Sequence, residues 1–188
     1  MIRRLIRRPR WAILISGRGS NLQVWLDHAE FVDVGWVVSS KATAPGLLKA
    51  QRRGIQTAVL PKLIDWQKFH CELKRRNITH LLLAGFMKLI PADFVNLWSG
   101  RILNIHPSLL PAFPGLHALQ NSYAAGASVG ITVHHVTPEM DAGPIIFQKS
   151  LKQRTIKNTF VPWSWSQVQT RAALIEHHLM REVILKWS

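Results

Sequence analysis

A neutral amide and an imidazole stand two residues apart, at Asn104 and His106, at the end of a short apolar run. On a strand, residues with this spacing point to the same face. An amide N–H can stabilise a developing oxyanion, and an imidazole can move a proton near neutral pH. Prolines at positions 107, 111 and 114 end the strand and stiffen the loop behind it. The spacing therefore predicts acyl-type chemistry at a strand end.

A carboxylate follows further along the chain, in the segment Asp141-Ala142-Gly143-Pro144. With Asn104 and His106 it completes a set of amide, imidazole and carboxylate that one pocket could gather. An isolated Asn-x-His pattern is more often a capping Asn beside a structural His. The proline-rich loop and Asp141 together favour the catalytic interpretation.

A glycine-rich turn separates the first predicted strand from the first predicted helix. Its sequence is Ser16-Gly17-Arg18-Gly19-Ser20-Asn21. Backbone N–H groups of such a turn can approach an anion closely, and a helix N-terminus favours negative charge. The pattern matches neither a Walker loop nor the complete dinucleotide-binding motif, so a plain strand-to-helix turn is the alternative.

Apolar periodicity and turn residues predict strands that alternate with helices up to residue 105. We expect strands at 11–15, 34–38, 56–60, 81–84 and 101–105. We expect helices at 21–29 with Asn21 as the cap, at 45–53 closed by Gly54, at 65–76 and at 91–98. This alternation is typical of a parallel sheet with crossover helices.

The pattern changes in the last part of the chain. A helix is predicted at 116–125, and strands at 130–136 and 144–149 are joined by a short turn, which favours an antiparallel pair. A long helix is predicted at 166–186. The fold class is therefore α/β, with a mostly parallel twisted sheet, crossover helices and an antiparallel C-terminal strand pair.

Length and composition are those of an ordinary globular domain. The chain has 188 residues, 47% of them hydrophobic, and we expect one domain over 11–188 behind a basic tail at 1–10. No apolar run approaches the roughly 20 residues of a membrane span, so we expect a soluble protein. Cys71 is the single cysteine. An internal disulfide is therefore impossible, which is compatible with a cytoplasmic location.

The net charge is strongly positive, at +14, from 24 Lys and Arg against 10 Asp and Glu. Five arginines crowd the first ten residues. Such a tail could bind nucleic acid or anionic lipid, or act as a targeting presequence, but we favour a solvated tail. The remaining basic excess also suits an anionic small-molecule substrate.

Four segments occur in an order and spacing that point to one family. They are Ile15-Ser16-Gly17-Arg18-Gly19-Ser20-Asn21-Leu22-Gln23, Leu83-Ala84-Gly85-Phe86-Met87, Asn104-Ile105-His106-Pro107-Ser108-Leu109-Leu110-Pro111 and Asp141-Ala142-Gly143-Pro144-Ile145-Ile146. Together they resemble the phosphoribosylglycinamide formyltransferases, the folate-dependent glycinamide ribonucleotide transformylases of purine synthesis. The resemblance covers about 11–149, with a looser match in the last helix, and implies the Rossmann-like formyltransferase fold.

The resemblance implies transfer of a formyl group from the co-substrate 10-formyltetrahydrofolate to the amine of glycinamide ribonucleotide. The transfer is direct, through a tetrahedral intermediate, and needs no metal. By this resemblance Asn104 donates to the developing oxyanion and His106 is the proton donor. Asp141 favours the protonated form of His106 and helps to relay protons.

The same resemblance implies two sets of binding residues. Those that bind the ribonucleotide are Gly19, Ser20, Asn21 and Glu176. Those that bind the folate are Met87, Lys88, Leu89, Ile90, Asn104, Thr137, Pro138, Glu139, Met140 and Asp141.

Three other functions are open on the sequence alone. A formyltetrahydrofolate hydrolase shares the Asn, His and Asp set but passes the formyl group to water. A methionyl-tRNA formyltransferase would use the basic charge, but usually has a further domain for tRNA. An inactive basic scaffold that binds nucleic acid is supported only by the arginine tail. We expect no nucleic-acid partner, and either a monomer or a homodimer.

Overall fold

The computed structural model describes residues 8–152 and 162–188, with the backbone alone for 155–156 and 159–160. These residues form two compact units. The first contains the residues up to 90 together with 181–188, and the second contains 91–180. Arg3, Arg4 and Arg7 of the predicted tail lie outside the described residues.

The first unit alternates strands and helices, as predicted. Its strands are parallel, in the order β3-β2-β1-β4. Residues 11–15 of β1 are completely buried between two neighbouring strands, which explains why their sequence is a continuous apolar run. The elements are β1 (Arg10–Ile15), α1 (Ser20–Leu26), β2 (Asp33–Ser39), α2 (Pro45–Arg52), β3 (Thr57–Val59), α3 (Trp66–Arg75) and β4 (His80–Leu83).

Local signals set several helix ends in this unit. Pro45 lies in the first turn of α2, where its missing N–H costs no hydrogen bond. Gly54 follows α2 with a φ of +70°, the left-handed conformation expected of a helix-closing glycine. The Asp65 carboxylate accepts a hydrogen bond from the Lys68 N–H at 2.9 Å and so caps α3.

The predicted start of α1 is wrong. Asn21 does not cap the helix, because α1 begins at Ser20 and Gly19 precedes it with φ +67° and ψ +48°. Asn21 lies inside the first turn and is only 7% exposed. A glycine reaches the left-handed conformation without a Cβ penalty, so the chain enters the helix earlier than an Asn cap would allow.

The second unit contains the antiparallel pair that the sequence predicts. β6 and β7 pair antiparallel, and β6 also pairs antiparallel with β5, which was not predicted. The elements are α4 (Ala92–Leu97), β5 (Ile102–His106), α5 (Ala118–Ala124), β6 (Gly130–His135), β7 (Ile145–Ser150), β8 (Thr155–Ile156), β9 (Thr159–Phe160) and α6 (Trp165–Trp187), which ends in the first unit. α5 begins two residues later than predicted because His117 has a φ of +60° and cannot continue a helix.

Two arginines of the predicted tail, Arg8 and Arg10, lie among the described residues. Arg8 Nη1 donates to the Glu30 carbonyl at 2.8 Å. Arg10 begins β1, and its Nη1 donates to both carboxylate oxygens of Asp33 at 2.7 Å. The boundary at residue 10 and the single domain over 11–188 stay predictions. Within the described ranges, each helix is too short or too polar to cross a membrane.

Candidate active site

β5 brings Asn104 and His106 to a single carboxylate. Asn104 Nδ2 lies 3.5 Å from Asp141 Oδ1, and His106 Nδ1 lies 3.5 Å from Asp141 Oδ2. His106 is almost fully buried, while Asn104 is half-buried. The second unit therefore brings the carboxylate, which is distant in the sequence, to the amide and the imidazole.

The backbone around Asp141 aims its carboxylate into this group. Asp141 lies in the turn between β6 and β7 with a φ of +53°, which Asp adopts more readily than most non-glycine residues. The N–H of Gly115 donates to Asp141 Oδ2 at 2.8 Å. The side chain is only 11% exposed. A carboxylate this buried must be compensated by donors, and the surrounding groups supply them.

Both nitrogens of the His106 ring face oxygen atoms. Nε2 donates to the Phe113 carbonyl at 3.0 Å, while Nδ1 faces Asp141. A carbonyl and a carboxylate accept hydrogen bonds but cannot donate them. A ring with a hydrogen on each nitrogen would satisfy both acceptors, and it is also the form from which an imidazole can act as a general acid.

A second imidazole, His134, completes the group. His134 Nδ1 donates to the His135 carbonyl at 2.9 Å, which leaves Nε2 to accept from Asn104 Nδ2 at 3.1 Å. Nε2 also lies 3.6 Å from Asp141 Oδ1. Burial lowers the pKa of His134 below its usual value, against the opposing effects of the His135 carbonyl and the Asp141 charge. A neutral His134 is the form that can accept from Asn104. We call Asn104, His106, His134 and Asp141 the side-chain cluster.

His134 was not among the site residues predicted from the sequence. The strand register connects it with Asn104, since Asn104 lies directly opposite His134 in the antiparallel pair. Facing side chains of such a pair are close enough to interact. The signal that could have found His134 was an antiparallel pairing of the strands at 101–105 and 130–136.

Hydrogen bonds from side chains of β6 and β7 hold the loop after His106. Thr132, opposite His106 in the register, donates from Oγ1 to the Ser108 carbonyl at 2.7 Å. The Leu110 N–H donates to Thr132 Oγ1 at 3.2 Å, and Gln148 Nε2 donates to the Leu110 carbonyl at 2.9 Å. These contacts hold the proline-rich loop at the end of β5. They were not predicted from the sequence.

The glycine-rich turn, which we call the glycine loop, is residues 16–21 of the first unit. Gly19 is buried, whereas Arg18 and Ser20 beside it are exposed. Of the predicted phosphate-binding residues, Ser20 therefore presents an exposed side chain and Asn21 a buried one. Any anion held at this loop would meet its backbone and the side chains of Arg18 and Ser20.

The predicted folate-binding residues of the first unit lie in the loop after β4. Met87 is 58% exposed and Leu89 is 77% exposed, Lys88 is exposed and Ile90 is half-buried. The Met87 N–H donates to Ser16 Oγ at 2.9 Å. This hydrogen bond fixes the start of an apolar, solvent-facing loop of the kind that an aromatic ligand would cover.

The remaining predicted residues lie in the second unit. Thr137 Oγ1 donates to the Glu139 carbonyl at 3.1 Å and so shapes the turn at 137–141. Pro138 and Glu139 are exposed, and Met140 is 60% exposed. Glu176 is half-buried on α6.

Fold and site together define an α/β protein whose second unit carries a cluster of amide, imidazole and carboxylate side chains. The cluster suits transfer of an acyl-type group, because it can hold a negative charge on oxygen and deliver a proton. The chain belongs to the formyl transferase family, whose model matches residues 9–184.

Individual relatives show which proteins of this family the chain is similar to. The phosphoribosylglycinamide formyltransferase of Escherichia coli is 35% identical over 187 residues, which cover 93% of this chain and 84% of that protein. The trifunctional purine biosynthetic protein adenosine-3 of Gallus gallus is 41% identical over 155 residues, which cover 74% of this chain. The match spans only 15% of the length of that trifunctional protein.

Solved structures confirm the predicted fold class. Glycinamide ribonucleotide transformylase 1 from Geobacillus kaustophilus has a TM-score of 0.85 at 31% identity, over 97% of this chain and all of that chain (100%). Phosphoribosylglycinamide formyltransferase from Anaplasma phagocytophilum has a TM-score of 0.80 at 38% identity, over 90% of this chain and 81% of that chain.

Proposed function

We propose that this protein transfers the formyl group of 10-formyltetrahydrofolate to the amine of glycinamide ribonucleotide in purine synthesis. The products are formylglycinamide ribonucleotide and tetrahydrofolate. The observation that carries the proposal is the meeting of Asn104, His106 and Asp141 in one buried group. The names of the relatives support the choice of substrates, since several are phosphoribosylglycinamide formyltransferases.

The first step forms a bond between the amine nitrogen and the formyl carbon. The electron pair of the carbonyl moves to its oxygen, which becomes an oxyanion in a tetrahedral intermediate. Asn104 Nδ2 is the donor for this oxyanion. One of its two hydrogens is bonded to His134 at 3.1 Å and holds the amide in place, and the other, on the nitrogen 3.5 Å from Asp141 Oδ1, is the one offered to the oxyanion. A donor that is already oriented requires no reorganisation when the charge develops.

The second step breaks the bond between the formyl carbon and N10 of the folate. N10 gains a proton as it leaves, and His106 supplies it. The attacking amine must lose a proton over the same two steps, so the reaction is balanced. Asp141 faces His106 Nδ1 and serves as the group through which the proton returns to the ring.

Two further sets of residues bind the substrates in this proposal. The ribonucleotide phosphate is held by Gly19, Ser20 and Asn21, and the ribonucleotide also contacts Glu176. The folate contacts Asn104 and two loops, at 87–90 and 137–141. The exposed apolar side chains of Met87, Leu89 and Met140 support this choice, because a pterin and its benzoyl group bury such surface.

The proposal extends to the setting of the reaction. Both substrates are small molecules of the cytoplasm, and we place the protein there. The transfer uses no metal, since a positioned amine attacks a formyl group that is already activated by the folate nitrogen. The active form is a monomer or a homodimer.

The test follows folate release by absorbance, with 10-formyltetrahydrofolate or its dideaza analogue, in the presence and absence of glycinamide ribonucleotide. Turnover that requires the ribonucleotide and is lost in His106→Ala supports the transferase. The control is His70→Ala, which removes an imidazole from α3 in the first unit. The enzyme with this substitution should remain active.

Two outcomes contradict the proposal. Folate release without the ribonucleotide identifies a hydrolase. No release under either condition, from a protein that circular dichroism shows to be folded, refutes both enzyme functions.

A further inference from the structure

A lysine side chain reaches the glycine loop from a neighbouring helix. Lys49 lies in the last turn of α2, and its Nζ donates to the Gly19 carbonyl at 3.3 Å. The side chain is half-buried rather than extended into solvent. Lysine side chains have many rotamers, so holding one against a loop carbonyl costs conformational entropy that a solvated lysine would not lose.

The backbone of α2 is packed closely enough against the loop to make this contact possible. The Gly46 N–H donates to the Gly17 carbonyl at 3.2 Å. A Cβ at Gly46 would lie 3.2 Å from the Gly17 carbonyl oxygen and 3.3 Å from the Gly19 Cα. The absence of a side chain at Gly46 therefore lets the first turn of α2 pack against the loop, and Lys49, one turn further along the helix, comes within reach of Gly19.

Among the described residues, the ammonium of Lys49 has no anionic partner, because no carboxylate lies within ion-pair distance of it. Arg53, one turn further along the chain, does have an anionic partner, because its Nη2 donates to Asp27 Oδ1 at 2.8 Å. The exposed Arg18 adds a second positive charge to the loop itself. A half-buried cation without an anionic partner favours an anion bound at its side.

We infer that Lys49 is part of the phosphate-binding site for the ribonucleotide, as the cation that the loop backbone alone does not provide. This inference rests on the proposed function and extends its phosphate site from the loop at 19–21 to α2. The hydrogen bond to the Gly19 carbonyl orients the ammonium and leaves its other hydrogens available to phosphate oxygens. Lys49 acts on binding, so its effect falls on the KM for the ribonucleotide and not on kcat.

The experiment compares Lys49→Met, Lys49→Arg and the control Lys74→Met. Lys74 is an exposed lysine on α3, so its variant changes the net charge by the same amount away from the loop. Hydrogen bonds to charged groups predict that Lys49→Met raises the KM for glycinamide ribonucleotide about ten- to hundredfold. The KM for the folate and kcat stay within about twofold, and Lys49→Arg recovers most of the affinity.

Calorimetric binding of ribose 5-phosphate to the same variants separates this inference from the proposed function. Weaker binding by Lys49→Met alone supports the role of Lys49, even if the wild-type enzyme does not turn over. Equal affinity of wild type and Lys49→Met overturns it, even if the enzyme is an active transferase. Equal losses in Lys49→Met and Lys49→Arg also overturn it, because they indicate a packing role rather than a charge. Thermal unfolding of each variant shows whether it is folded.

Discussion

The glycine loop of the first unit and the side-chain cluster of the second are built from different parts of the chain. The glycine loop depends on residues that have no Cβ, because Gly19 adopts φ +67° and Gly46 packs closely against it. The side-chain cluster depends on atoms that are present, since its four members contact one another through their side chains. Backbone geometry governs the first region and side-chain chemistry governs the second.

This difference predicts opposite sensitivities. Removing side-chain atoms should damage the cluster, whereas adding a single methyl group at the contact between α2 and the loop should damage the loop. The consequences should also differ, because the cluster acts on the reacting atoms and the loop acts on binding. Variants of the two regions should therefore separate into effects on kcat and effects on KM.

Asn104→Ala should have the largest effect. Loss of one preorganised oxyanion donor typically lowers kcat about 10²- to 10³-fold. The measurement is kcat from the folate-release assay at saturating ribonucleotide. The control is Asn96→Ala, which removes the same kind of amide from an exposed position on α4 and should leave kcat unchanged. A kcat within threefold of wild type for Asn104→Ala would assign the oxyanion to another donor.

Asp141→Asn should have the next largest effect. The amide keeps the shape of the carboxylate but removes the charge that faces His106 and accepts from Gly115. Loss of a charge-assisted hydrogen bond predicts a fall in kcat of about ten- to hundredfold, with little change in the KM for the ribonucleotide. If kcat is preserved and only the KM for the folate rises, Asp141 contributes to folate binding and not to proton transfer.

Gly46→Ala tests the loop by adding atoms. Its Cβ would lie 2.5 Å from Ile15 Cδ1 and 3.2 Å from the Gly17 carbonyl, so the loop or α2 must move. Overpacking of this kind typically costs about 1–3 kcal/mol of the free energy of unfolding. We also expect a severalfold rise in the KM for the ribonucleotide with kcat unchanged.

Gly17→Ala is the matched control for the stability measurement, since its Cβ would have no neighbour within 4 Å. Chemical denaturation gives the free energy of unfolding for both variants. Equal stability of Gly46→Ala and Gly17→Ala would show that the contact between α2 and the loop is not tightly packed.

The smallest effect concerns pH and His134. Burial lowers the pKa of His134 in the folded state, so below about pH 6.5 the unfolded chain binds a proton that the folded protein refuses. The contribution of neutral, buried His134 to the free energy of unfolding is fully present above that pH and is lost as the pH falls. This one group changes the free energy of unfolding by at most about 1.4 kcal/mol per pH unit.

His134→Gln should remove this pH dependence while keeping an acceptor for Asn104. Denaturant unfolding of wild type and variant at pH 5, 6 and 7 gives the comparison, with His70→Gln on α3 as the control. Parallel pH profiles for wild type and His134→Gln would show that His134 takes up its proton equally well in both states.

The sequence by itself determined the elements and the chemical groups of the site. Continuous burial of residues 11–15 follows from their unbroken apolar character. Pro45, Gly54 and Asp65 act within one turn of their own positions, which is why they mark the helix ends correctly. The spacing of Asn104 and His106 was sufficient to place both on one strand face, because strand geometry repeats every two residues.

Only the tertiary structure decided which distant residues meet. His134 joins Asn104 through the register of β5 and β6, and no local pattern specifies which strands pair. Lys49 reaches Gly19 because Gly46 lets two backbones approach, a fit that depends on both segments at once. The Asn21 cap was wrong for the same reason. A local preference for Asn at helix starts was overridden by the left-handed turn at Gly19, which suits the close packing of α2.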